Sequence, residues 1–562
     1  MTAHDRLEAL AHEFWEKSLA WNPLQATLVG DRRFDDLMPD LSPEAYESQR
    51  SDLKKLLERV DALPDDALSP FDRVTRRELR MVAKNGVDER STGMETWLLD
   101  PLDGPQVALF NLPSWHVART GGEAAVFVER VRAMGPYLDQ YLANLERGHA
   151  SGLSSAVDPV RKVAAQLDEL LAKPTSEWAL VSEPSRALPD EFDAAARARL
   201  SSELERVVES EVRPRLVRLA RFVREMALPA ARPESRPGLC ALSGGTEIYA
   251  CLVRVHTSLP LAAETIHATG LAEVAKINEE MRTLGARALG AASLAATQER
   301  LRTDPAMHFT TRDEVEEKAV EALRRAERAV PKWFGRLPKA PCIVRRIEEH
   351  EEKFSTIAYY RQPSPDGSRP GTYFINTYAP ETRPRYEAEA LAFHEAVPGH
   401  HTQIAFAQEL EGVPEFRKHT GTTAYVEGWG LYTERLCEEM GLYSADLDRI
   451  GMLSFDAWRA CRLVVDTGLH ALGWSRSRAI EYMIANSVLA RNNIENEVDR
   501  YITWPGQATA YKTGQLEIFR LRAEAMRRLG SGFDIRSFHD AVLGSGAVGL
   551  GTLSEIVSAI RA

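Results

Sequence analysis

Three of the chain's fourteen histidines fall within the eight residues His394-Glu395-Ala396-Val397-Pro398-Gly399-His400-His401, with a glutamate beside the first. The plain alternative is a polar helix end, because imidazoles favour the C-terminal carbonyls of a helix. Here Leu391 and Phe393 precede the cluster on an apolar helix, which directs the imidazoles inward. Buried imidazoles need partners, and neutral imidazole is the commonest zinc ligand. In the familiar HExxH arrangement, residues four apart share one helix face. Four residues after His394, however, stands Pro398, which cannot bind metal. On a straight helix of roughly 100° per residue, His400 points about 120° away from His394, and His401 shares the face but lies about 10.5 Å along the axis. Pro398 removes a backbone donor and Gly399 tolerates unusual dihedrals, so a break is expected there. A bulge would bring His400 to the second ligand position and turn His401 aside toward supporting or substrate contacts. A regular helix would instead give that position to His401.

Glu395, next to a ligand, fits the general base that takes a proton from zinc-bound water. A catalytic zinc takes three protein ligands and keeps one position open. The candidate third ligand is Glu427, in TTAYVEGWGLYTERL, 33 residues beyond His394. Glu434 follows on the same face two turns later, as ligand or as a hydrogen-bonding support. As surface residues both would be unremarkable, but Tyr425, Gly428, Trp429 and Tyr432 around them argue against an exposed face. The expected cofactor is one Zn2+ ion held by His394, His400 and Glu427. Further candidates come from GTYFINT (371–377), whose Tyr373 and Asn376 would meet a peptide pairing with that strand. Toward the C-terminus, Tyr511 and His539 are candidate donors to a tetrahedral oxyanion, with Arg520 and Arg522 nearby in sequence. Arg520, like His401, is assigned to the substrate.

The elements that must position these groups are mainly helical. Residues 123–147 place Val126, Phe127, Val131, Met134 and Leu138 at helical steps, and 189–226 carries Leu200, Leu204, Val207, Val208, Val212, Leu216 and Leu219 as one stripe. The pattern recurs at 261–300, 312–330, 382–412, 420–440, 450–495 and 507–529. Between them, CIVRRI (342–347), STIAYYR (355–361) and GTYFINT read as strands, the last two joined by the turn-forming PSPDGSRPG. The expected fold is therefore mainly α, with a small antiparallel hairpin or sheet immediately before the metal-binding helix. The Pro- and Arg-rich stretch 228–238 marks the boundary between an N-terminal helical region (1–240) and a catalytic region (241–562), both expected to belong to one continuous fold around a groove.

At 562 residues and a formal charge of −12, the chain lacks the concentrated positive footprint that nucleic acid or anionic lipid requires. No stretch approaches the 18 or so uncharged apolar residues of a membrane span. The five cysteines form no CxxC pair, and the acidic, amphipathic start lacks the marks of a signal peptide, so a cytoplasmic protein with reduced thiols is expected.

Six segments carry a resemblance: NPLQATLVGDRRFDD, PDGSRPGTYFINT, HEAVPGHH, YVEGWGLYTE, PGQATAYKTG and FDIRSFHDAVLGSG. Over nearly its whole length the chain resembles the bacterial domain-of-unknown-function family 885. That family in turn resembles the carboxypeptidase Taq peptidases, helical zincins with an HExGH helix. The resemblance aligns His394 and Glu395 with the first two residues of that motif and Gly399-His400 with the last two, leaving two extra residues at the bulge. It also sets Tyr511 near the site, through a segment ending in Tyr, two residues and Gly. It implies a zincin-like fold and a zinc-dependent peptidase or carboxypeptidase acting on short peptides or small amides. Hydrolysis of non-peptide amides or esters by the same groups is the second reading. A catalytically silent metal-binding scaffold is the third, and Glu395 counts against it because structural zinc needs no base.

Overall fold

Helices begin where the sequence supplies an oxygen to receive their first free N–H groups. Thr2 and Asp5 form a reciprocal cap on Ala3–Trp21, Thr120 caps Gly121–Ala150, and Thr311 caps Arg312–Ala329. The computed structural model describes all residues except 350–351, 354, 365–366, 368 and 562. Part of the expected turn PSPDGSRPG lies outside the described residues. The chain divides into two compact units: residues 1–68, 82–245 and 473–476, and residues 69–81, 246–472 and 477–562. Among the described residues, no helix is long and apolar enough to cross a membrane.

The first unit is helical and closes on an apolar core. Gly121–Ala150 buries Phe127, Val131, Met134, Leu138 and Leu145, and the stripe Leu200 to Leu219 is buried as the spacing predicts. Val126, expected in the stripe, is exposed, because the buried arc starts one residue later at Phe127. The stripe is not carried by one regular helix: Val208–Val212 is a π turn between Ala194–Val207 and Arg213–Phe222.

The second unit carries the HEAVPGHH segment. Its sheet comprises β1 (Cys342–Arg346), β2 (Ala358–Arg361) and β3 (Gly371–Ile375), in the order β1-β3-β2. β2 pairs antiparallel with β3, Tyr360 opposite Tyr373, as a hairpin should. β1, however, runs parallel to β3 with Val344 opposite Tyr373, so the sheet is mixed and not wholly antiparallel. The hairpin pairing is local, whereas β1 takes the other edge of the central strand β3, a choice made by tertiary packing. The helices that matter next are α1 (Ala388–Glu395), α2 (His400–Gln408), α3 (Thr423–Glu439), α4 (Asp446–His470), α5 (Gln507–Leu529) and α6 (Ile535–Leu543). The long pattern at 450–495 resolves into α4 and a separate helix, Arg476–Asn486, followed by Arg491–Thr503.

Candidate metal centre

The helix carrying His394 stops at Glu395 and a new one starts at His400. Ala396 and Gly399 adopt non-helical dihedrals, and the Val397–Pro398 bond is cis. A Cβ on Gly399 would lie 1.9 Å from the His394 carbonyl oxygen, so only glycine allows the chain to fold back this tightly. α3 holds the break in place. The Trp429 indole N–H donates to the Pro398 carbonyl at 3.0 Å, and the Gln403 amide donates to the Tyr425 carbonyl at 3.3 Å.

This break brings His394 and His400 together, their rings 4.7 Å apart and nearly perpendicular. Glu427 of α3 completes a group in which one ligand atom from each residue lies within 4.8 Å of the others. Glu427 Oε2 stands 3.6 Å from His394 Nε2 and 3.7 Å from His400 Nε2. These separations are long for hydrogen bonds. They are close to the roughly 3.3–3.4 Å expected between donors sharing one tetrahedral zinc with bonds of about 2.0–2.1 Å. His400 Nδ1 is buried without a hydrogen-bond partner among the described residues, so the ring has been desolvated without being satisfied. Donor types and spacing fit a zinc ion.

The electrostatics also favour a cation. Burial alone would strip His394 of a proton, yet the Glu427 and Glu434 carboxylates push its pKa up to about 10. Burial likewise opposes the charge on Glu427, and the two imidazoles hold its carboxyl well below the usual range. Glu434, fully buried two turns along α3, accepts from His394 Nδ1 at 2.8 Å, which leaves Nε2 as the ring atom facing Glu427. Gly430 lies between these two glutamates on the same face, where a Cβ would stand 2.5 Å from the His394 ring. The imidazole therefore packs flat against the helix backbone. Glu395, half-buried, follows His394 directly and is near enough to Tyr373 to raise that buried phenol's pKa after burial itself, the main cause.

His401 turns away from this group. Its Nε2 pairs with the Ala340 carbonyl and its Nδ1 with the Tyr360 hydroxyl, each at 3.0 Å, and burial lowers its pKa to about 4. Both nitrogens are thus committed to tying α2 to the sheet, which corrects its assignment to substrate. His539 is corrected for the same reason. It is fully buried, with Nδ1 on the Trp333 carbonyl and Nε2 on the Tyr432 hydroxyl, both at 2.7 Å, and it stacks on Phe334. Arg520 is exposed and pairs with Glu517 and Glu524 of its own helix. Its neighbour Arg522 pairs with Glu439 and reaches the Tyr432 hydroxyl at 3.4 Å. Asn376 donates to the carbonyls of Glu352 and Thr356 and accepts from the Tyr378 N–H, so it clamps the chain around β3. Tyr511 lies on α5, which the Gln515 amide ties to the Leu431 carbonyl at 3.0 Å, and the Arg462 guanidinium covers its ring at 4.4 Å. Tyr373 is buried on β3. The spacing of single residues gave no sign of Trp429 as the brace on the break, although its place in VEGWG marks that face as inward.

The profile of bacterial proteins of unknown function DUF885 matches residues 23–557. The chain belongs to that family. No curated protein matches this DUF885 chain. Among the solved structures similar to it are two described in the same words, "putative lipoprotein". The protein from Colwellia psychrerythraea is 25% identical, with a TM-score of 0.90 over 99% of both chains. The protein from Shewanella oneidensis is 17% identical, with a TM-score of 0.76 over 98% of this chain and 99% of its own. The second likeness shows a shared fold and nothing more.

Proposed function

We propose that this DUF885 protein is a zinc-dependent hydrolase acting on short peptides, with a zincin-like arrangement of the kind found in carboxypeptidase Taq peptidases. The single observation that carries the reading is the convergence of His394 Nε2, His400 and Glu427 at ligand spacing, with Glu395 next in sequence to the first of them. These three residues would hold the metal, and the ion would supply Lewis acidity toward the scissile carbonyl. Glu395 acts as the base that accepts the proton of the attacking water and returns it to the leaving amine. Glu434 fixes the His394 tautomer through the 2.8 Å bond to Nδ1. Tyr511 remains the candidate donor to the oxyanion, on the strength of the Taq-type resemblance.

The decisive experiment measures metal content and peptide turnover in one preparation, with and without chelator. About one zinc per chain, with turnover that chelator removes and zinc restores, is the expected outcome. Full metal with no turnover on any peptide, amide or ester would favour the silent scaffold. We propose a cytoplasmic address from the sequence, whose five scattered cysteines form no CxxC pair. The lipoprotein description of the Colwellia and Shewanella proteins points to another address for those proteins, and cell fractionation decides between the two for this one.

A further inference from the structure

The second unit contains a cavity of 480 Å³ that the metal centre does not use. Its volume falls within the range of about 300–1,000 Å³ typical of small-molecule sites. Two elements lead from the metal-binding segment into it. At the N-cap of α1 and along it, Glu387 and Leu391 line the cavity, and Glu395 continues the same face at the next four-residue step. Along β3, alternate residues share a face: Gly371 lies against the His401 ring, and Tyr373 and Ile375 are both on the cavity wall. Glu395 is not itself on the wall, but it follows Leu391, the last wall residue of α1, by one helical turn.

The rest of the lining is mostly apolar, with Phe309, Leu391, Phe455, Val488 and Leu489 among it. Several of its polar members are already engaged by the protein. Asn376 clamps backbone carbonyls, Glu497 pairs with Arg462 and the Tyr501 hydroxyl, Glu387 accepts from Ser454, and Arg302 donates to the carbonyls of Ile484 and Ser487. Most of what remains for an occupant is hydrophobic surface, with Asn493 and Asn496 among the polar groups of the lining.

We infer that this cavity receives a bulky apolar side chain of the substrate, on a residue flanking the scissile bond, and so sets the specificity of the metal centre. The inference rests on the hydrolase reading for its catalytic consequence, but binding alone can be tested without it. Single methylene differences in such pockets discriminate by about 10–200-fold. Peptides with Phe or Leu at the flanking position should therefore exceed their Gly counterparts in kcat/KM by about 100-fold or more. Ala388, on the cavity wall at the start of α1, offers a place to fill the space. Ala388→Trp should collapse that preference. Should the variant not fold, wild-type protein stripped of metal still gives an answer. By calorimetry it should bind N-acetyl-L-phenylalaninamide and not N-acetylglycinamide, and N-acetyl-L-phenylalaninamide should shift the signals of Trp458, which also lines the cavity. Selective binding without turnover of any peptide would keep the cavity assignment and overturn the hydrolase. Turnover indifferent to side-chain size, or no selective binding, would overturn the cavity assignment alone.

Discussion

Helix α3 presents two opposite faces to two histidines, and the two are treated in contrary ways. One face carries Glu427, Gly430 and Glu434 and packs on His394; the other carries Tyr425, Trp429, Tyr432 and Leu436, with Tyr432 on His539. Both imidazoles are buried. At His539 every ring nitrogen has a neutral partner, the neighbours are aromatic, and burial pushes the pKa down to about 3. At His394 the partners are carboxylates, which overcome burial and lift the pKa to about 10. Thus a buried histidine by itself says little. The charge opposite it, and whether the surrounding polar atoms are satisfied, separates a packing residue from a candidate ligand. On the polar side, His400 Nδ1 and Glu434 Oε2 are buried without hydrogen-bond partners among the described residues.

The contrast can be broken most forcefully at the chemistry. Glu395→Gln keeps the shape of the side chain and removes the base, so turnover should fall by about 10²–10⁴-fold with metal still bound. Near-normal turnover at full zinc would remove Glu395 from the mechanism. Next in size is His400→Ala. Losing a ligand should cost more than the roughly 10–100-fold of a supporting residue, so competition with a chelator should show metal binding essentially abolished, while His401→Ala still loads zinc. If those two variants ranked the other way, the ligand assignment at the break would be reversed. A smaller loss, about 10–100-fold in zinc affinity, is expected for Glu434→Gln, which weakens the hold on His394 Nδ1 but leaves the three donors. A loss as large as that of Glu427→Ala would make Glu434 a ligand.

How much of this was legible in the sequence follows from what each feature depends on. The break depends on two adjacent residues, Pro398 and Gly399, whose backbone limits are intrinsic, and the expected stop between His394 and His400 is where α1 ends. Glu427 and Glu434 share a face because helical period is local. Likewise, the mainly helical class and the hairpin of β2 with β3 follow from periodicity and a short connection. The parallel pairing of β1 with β3 does not, because it is decided by how the sheet packs. Polar side chains were the least legible. Nothing near Asn376 or His539 in the sequence announces that their partners are the carbonyls of Glu352 and Trp333, the latter 206 residues away. Arg520 has partners on its own helix, at i−3 and i+4, and these ordinary surface pairs are the local signal against its substrate assignment.

The mildest prediction tests the aromatic face, where no effect on metal is expected. His539→Gln should leave zinc affinity unchanged and lower stability at pH 7 by about 1–3 kcal/mol, because the buried Trp333 carbonyl and Tyr432 hydroxyl lose a well-placed partner. The pH dependence adds a sharper check. The groups facing this ring are the Trp333 carbonyl, the Tyr432 phenol, the Arg522 guanidinium and, more remotely, the Asp534 carboxylate; the Trp333 carbonyl and Asp534 favour a charged imidazole, and burial outweighs them. With a folded pKa near 3 and an ordinary value of 6.5, His539 stays neutral in the native state while the unfolded chain takes up a proton. Between those values the unfolded state binds more protons, so the wild type loses stability as pH falls, by up to about 1.4 kcal/mol per unit from this group. Glutamine does not titrate, so that contribution vanishes in the variant. Denaturant unfolding at pH 7 and pH 5 should therefore show the gap between wild type and His539→Gln narrowing in acid. A constant gap would mean that His539 takes up its proton as readily in the folded chain as in the unfolded one, and a widening gap that it is charged in the folded protein; under either the division between the two faces of α3 would fail.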